Sequence, residues 1–188
     1  MKYKNRNQTT KKLVALALFT AFAFIFSFLS FPIFPVAAPF LKLDFGNVFI
    51  MLSGFLFGPV EAIAVTLVKE LLALTNTTSG GVGEIANFLM TSAFVLLPSV
   101  VYRYRKGLKT VALSLSGACV IGTVTATLVN RFIIFPLYEE FIGPAADVFK
   151  AVIWFVIGFN VIKTVSISIA TVLIYKRLSN FLTRFKVK

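Results

Sequence analysis

The chain has no histidine, one cysteine and only seven acidic residues in 188. Without histidine it lacks the side chain that most often moves protons near neutral pH. A single cysteine, Cys119, makes neither an internal disulfide nor a Cys/His metal site. Charged residues make up 14% of the chain, whereas about a quarter is usual for a soluble domain. No Gly-Lys-Ser/Thr ending follows the glycine-rich stretch Ser79-Gly80-Gly81-Val82-Gly83-Glu84, so no nucleotide-hydrolysing P-loop is present. These absences disfavour acid–base, metal and ATPase chemistry.

What fills the chain is apolar. Hydrophobic residues account for 58%, phenylalanine alone for 22 positions, and the mean hydropathy is +0.90. A water-soluble fold could not hide that surface. The reading is an all-α integral membrane protein forming one domain over residues 1–188. Six spanning helices of roughly 20 residues use about 120 residues and leave only loops and tails.

Six apolar segments are expected, at about 13–34, 45–57, 60–74, 85–102, 111–137 and 148–174. The first is longer than the apolar core of a cleaved signal peptide and is read as a retained helix. Gly58-Pro59 marks a tight turn between the second and third.

The formal charge of +12 would suggest nucleic acid in a soluble protein. Here the basic residues flank apolar runs instead, and no nucleic-acid role is expected. Lys2, Lys4, Arg6, Lys11 and Lys12 precede the first segment. Arg103, Arg105, Lys106 and Lys109 lie between the fourth and fifth. Lys176, Arg177, Arg184, Lys186 and Lys188 follow the sixth. Together these hold 14 of the 19 basic residues. With six spans all three groups fall on one side, which the positive-inside rule makes cytoplasmic for both termini. The opposite loops carry Asp44, Glu84, Glu139, Glu140 and Asp147.

Ionisable and amide side chains at membrane depth are costly and commonly face a cavity or a partner. Asn160 and Lys163 share one face of the sixth segment. Thr123, Thr127 and Asn130 share a face of the fifth, and Glu84, Asn87 and Thr91 a face of the fourth. Asn and Thr can also simply bond a neighbouring helix. Lys69 and Arg131 are expected to snorkel to the interface, and Glu70 to pair with a lysine or face outer water. Lys163 is too deep to snorkel; it faces either a ligand or a buried acid such as Glu84. The three stripes predict a polar pocket in the outer half between segments four, five and six. Asparagine amides offer a donor and an acceptor to a planar imide edge. The abundant phenylalanine, together with Trp154 outward of Asn160, suits a flat heteroaromatic ligand. Ala17 and Ala21, four apart, form a small-residue surface on which another helix can pack.

These features carry a resemblance. Ala17-Leu18-Phe19-Thr20-Ala21 matches an AxxxA motif in a first helix. Leu43-Asp44-Phe45 and Gly54-Phe55-Leu56-Phe57-Gly58-Pro59-Val60-Glu61-Ala62 accompany it, with the Asn160/Lys163 pair. Over essentially its whole length the chain resembles the substrate-binding S components of energy-coupling factor (ECF) vitamin transporters, and among them the riboflavin-specific branch. The resemblance implies a non-catalytic, multi-pass subunit of the bacterial plasma membrane that captures riboflavin from outside. It implies association with a transmembrane T component and two ABC-type ATPases, no cofactor beyond the transported ligand, and contact with membrane lipid. Asn130, Asn160 and Lys163 match positions expected to bond the polar edge of the isoalloxazine ring. Glu84 and Asn87 would meet the ring or the ribityl chain. Leu41 to Asp44 would help close the pocket, and Ala17 and Ala21 would touch the T component. Another vitamin on the same fold, thiamin or a pyridine, remains an alternative, as does an independent small-solute carrier.

Overall fold

In a computed structural model the chain folds as a helical bundle with one short hairpin. The structure describes residues 2–77, 79–139 and 144–184, with backbone only for 2–7, 145 and 178–184. Thr78, Glu140, Lys186 and Lys188, and the side chains of Lys2, Lys4, Arg6 and Arg184, lie outside the described residues.

Helix α1 covers Lys2–Ser27, the strands β1 and β2 cover Phe31–Phe34 and Ala38–Leu43, and α2 covers Gly46–Phe57. Next come α3 at Pro59–Ala73, α4 at Val82–Tyr104 and α5 at Leu108–Val129. A π turn at Asn130–Ile134 and the short α6 at Phe135–Leu137 extend α5, and α7 runs over Ala145–Arg184. Among the described residues, four stretches are long and apolar enough to cross a membrane: Gln8–Ser27, Val82–Tyr104, Leu108–Leu137 and Ala146–Arg177. The expected second and third spans are present as helices but are short, α2 with 12 residues and α3 with 15. At 1.5 Å per residue, 15 residues reach only about 22 Å, less than the ~30 Å of a hydrocarbon core.

The hairpin corrects the all-helical expectation. Residues 31–34, which hydropathy joins to the first apolar segment, pair antiparallel with β2, Phe31 opposite Leu43 and Phe34 opposite Ala38. Pro32, Pro35 and Pro39 explain the change, because none can continue a helix and each is tolerated at a two-stranded edge. On β2, Ala38, Leu41 and Leu43 are buried and pack against Val156 and Phe159 of α7. The strand thereby leads the chain into the bundle, and α2 begins beside an already buried Asp44.

Close approach of α1 and α2 depends on Gly46. A side chain there would collide with the Ala23 carbonyl oxygen. Gly58 takes φ +115 in the turn to α3, a conformation that suits glycine, and Pro59 then opens α3 at its first position.

Lys12 of α1 pairs with Glu61 at the start of α3. The rings of Phe55, Tyr102 and Tyr175 meet near the ends of α2, α4 and α7. Lys12 of α1, the α2–α3 turn and Tyr175 of α7 therefore belong to one end of the bundle. The main core holds Val48, Met51, Phe94, Leu115 and Ile167, with Ser53, Thr66, Ser99 and Thr164 buried among the same helices. The hairpin and the loops after α3 and α5 lie at the other end, where the core gives way to a cavity.

Candidate ligand-binding cavity

The cavity has a volume of about 760 Å³, within the range of ligand sites. It is lined from α1, β2, α3, α4, α5, the π turn, α6 and α7. Leu41, Asp44, Glu84, Asn87, Asn130, Asn160 and Lys163 all face it. The pocket expected between the last three long helices is therefore wider, closed on its other flank by α3, the hairpin and the end of α1.

Lys163 is 2% exposed. Its ammonium donates to Asn87 Oδ1 at 3.2 Å and lies 3.6 Å from Asp44 Oδ2. Its buried acid partner is thus Asp44, not Glu84. Asp44 is held in turn, since its Oδ1 accepts the Gly46 amide at 2.9 Å. Lys163 also lies 5.8 Å from the centre of the Phe159 ring, a cation–π distance.

Asn130 and Asn160 use their amides alike. Each donates one hydrogen to the carbonyl four residues back, Ala126 and Val156 respectively, at 2.8 Å. Among the described residues this leaves each with a carbonyl oxygen and a second N–H. Asn130 opens the π turn, whose wider winding re-aims the end of α5. No periodicity in the sequence announces that turn.

Glu84 accepts the Ser79 hydroxyl at 2.8 Å. The loop around it is ordered by side chains. The Thr77 hydroxyl accepts the amides of Ser79 and Gly81, and the Ser79 hydroxyl accepts that of Gly83. The Tyr138 hydroxyl donates to the Ser79 carbonyl at 2.6 Å, tying the loop before α4 to the residue after α6, both in the cavity wall.

Lys69 corrects the interface reading, while Glu70 pairs with a lysine as expected. They are 3% and 4% exposed, line the cavity and pair at 2.9 Å. Both stand on the buried face of α3, whereas Lys69 was expected at the interface. The signal available was a Lys-Glu dipeptide inside an apolar helix, where an unpaired charge is not tolerated. Arg131 lies outside the cavity, with its guanidinium 5.4 Å from the Phe149 ring centre.

Other expected residues lie elsewhere. Trp154 is 78% exposed on α7; six residues place it about 120° round the helix from Asn160. The aromatic wall comes instead from Phe24, Phe28, Phe40, Phe135, Tyr138 and Phe159. Thr91 accepts the Asn47 amide at 3.1 Å, Thr127 donates to the Thr123 carbonyl, and none of these threonines reaches the cavity.

The sequence profile of the ECF transporter substrate-specific component matches residues 11–175. The chain belongs to this family. The riboflavin transporter RibU of Staphylococcus aureus (strain TCH60) is 38% identical over 180 residues, which cover 94% of this chain and 95% of that one. The riboflavin transporter FmnP of Bacillus subtilis (strain 168) is 30% identical over 175 residues, covering 89% and 92%. A solved S component of a bacterial ECF transporter superposes with a TM-score of 0.77 at 36% identity, covering 93% of this chain and 98% of that one.

Within an S component the surface of α1 gains interest. Ala17 and Ala21 are exposed, as are Leu13, Val14, Leu18 and Ile25 around them. Over Gln8–Ser27 only 11% of the most apolar window is buried in the bundle. The small-residue pair is therefore not consumed by packing inside this chain.

Proposed function

We propose that this chain captures riboflavin from outside the cell and hands it to the cytoplasm through a T component and two ABC-type ATPases. The observation that carries the proposal is Lys163, buried at mid-helix, bonded to Asn87 and sharing one cavity with the free amide valences of Asn130 and Asn160. Amide donor–acceptor pairs and an ammonium complement the imide edge of an isoalloxazine. Phenylalanine and tyrosine walls complement its faces. Two relatives that share nearly the full length are riboflavin transporters.

In this reading Asn130, Asn160 and Lys163 bond the ring edge, while Glu84 and Asn87 meet the ring or the ribityl chain. Leu41 to Asp44 close the site, with Asp44 holding the ammonium until the ligand engages it. The basic end carrying both termini faces the cytoplasm of a bacterial cell, by the positive-inside rule. The cavity then opens outward. Exposed Ala17 and Ala21 on α1 let the T component approach closely.

The test is reconstitution. Vesicles holding this chain with a T component and ATPases should take up riboflavin only with ATP, and the chain alone should bind without transport. Uptake by the chain alone would make it a self-sufficient carrier and overturn the proposal.

A further inference from the structure

Glu70 is a buried carboxylate with an unused valence. One oxygen, Oε1, accepts the Lys69 ammonium at 2.9 Å. The other, Oε2, is shielded from bulk water and has no partner among the described residues. Leaving a buried acceptor unmade is costly, more so for a charged one. Glu70 lines the cavity, so the missing donor has somewhere to come from.

The charge balance selects the kind of donor. The acidic and basic side chains lining the cavity are Lys42, Asp44, Lys69, Glu70, Glu84 and Lys163, three of each kind. A cation arriving at Oε2 would leave the cluster with a surplus charge in a poorly solvated site. A neutral hydroxyl satisfies the oxygen and adds no charge.

Position selects which part of the ligand supplies it. Helix α3 packs on one side of α4, while α5 packs on α4 and on α7. With the ring edge held by Asn130 and Asn160, the polyol leaves the ring at the nitrogen beside the imide-bearing ring and meets a neighbouring wall; Lys69 and Glu70 line the same cavity from α3. We propose that Glu70, steadied by Lys69, accepts a hydrogen bond from a hydroxyl of the ligand's polyol chain and so selects flavins that carry the chain. This rests on the riboflavin reading above and extends it to a residue pair which that reading leaves without a role.

The test compares riboflavin with an isoalloxazine carrying a methyl group in place of the ribityl chain, titrated against wild type and Glu70→Gln. The expected result is that wild type prefers riboflavin and that E70Q lowers the ratio of the two affinities at least tenfold, with the methyl analogue changed less than twofold. Lys69→Met/Glu70→Gln keeps the approximate size of the pair and removes both charges; it should lower the ratio in the same way and serves if E70Q does not fold. An unchanged ratio, whether both flavins weaken or neither does, overturns the proposal. Wild type that binds neither flavin overturns the riboflavin reading itself, and this proposal with it.

Discussion

Replacing Lys163 by methionine keeps the length and the apolar stem and removes the charge. The wild-type ammonium is within 3.6 Å of Asp44 and donates to Asn87 at 3.2 Å. A hydrogen bond from a charged group contributes about 1.5–3 kcal/mol. If Lys163 bonds the flavin, K163M should weaken binding about 10- to 150-fold. The substitution also strands Asp44, whose side chain is 7% exposed. Removing one partner of a buried pair costs about 3–5 kcal/mol, so the single variant should melt well below wild type. Asp44→Asn in the same chain relieves that cost. K163M/D44N should recover most of the thermal stability and none of the affinity, because the ligand's partner is still missing. The assay is quenching of flavin fluorescence on titration with purified protein, alongside a thermal melt in the same detergent. A double variant that binds riboflavin within twofold of wild type would refute a direct role for Lys163.

Ala17→Leu/Ala21→Leu should abolish ATP-driven uptake and leave riboflavin affinity intact, measured in vesicles and by titration respectively; loss of both would assign the alanines to internal packing. Gly46→Ala should lower the melting temperature, at about 1–3 kcal/mol for overpacking against the Ala23 carbonyl, and a variant as stable as wild type would contradict the close approach of α1 and α2. Trp154→Phe should leave riboflavin affinity unchanged, since the indole is exposed away from the cavity; a tenfold loss would return it to the site.

The long helices were legible because apolar runs of 20 residues or so, separated by basic clusters, satisfy their backbone groups in a bilayer only as helices or closed barrels, and these runs lack the alternation of a barrel strand. The hairpin was not legible, because hydropathy treats Phe31-Pro32-Ile33-Phe34 like any apolar run, and only the prolines argue against a helix. Lys163, Asn160 and Asn130 stood out as polar groups deep in apolar segments. Lys69 stood in a similar setting, but its place in the outer half of a short segment pointed to the interface, while Glu70 was expected to pair with a lysine or face outer water. Their burial depends on α1, α2 and α4 packing around α3, which no local pattern reveals. Trp154 shows the opposite error: closeness to Asn160 in sequence does not put the two on a shared face.

The central claim is that the cavity around Lys163 holds riboflavin. Titration of the purified chain with riboflavin tests it most directly. The account predicts saturable quenching of flavin fluorescence at a single class of site, lost in K163M/D44N. No binding at micromolar riboflavin would contradict it.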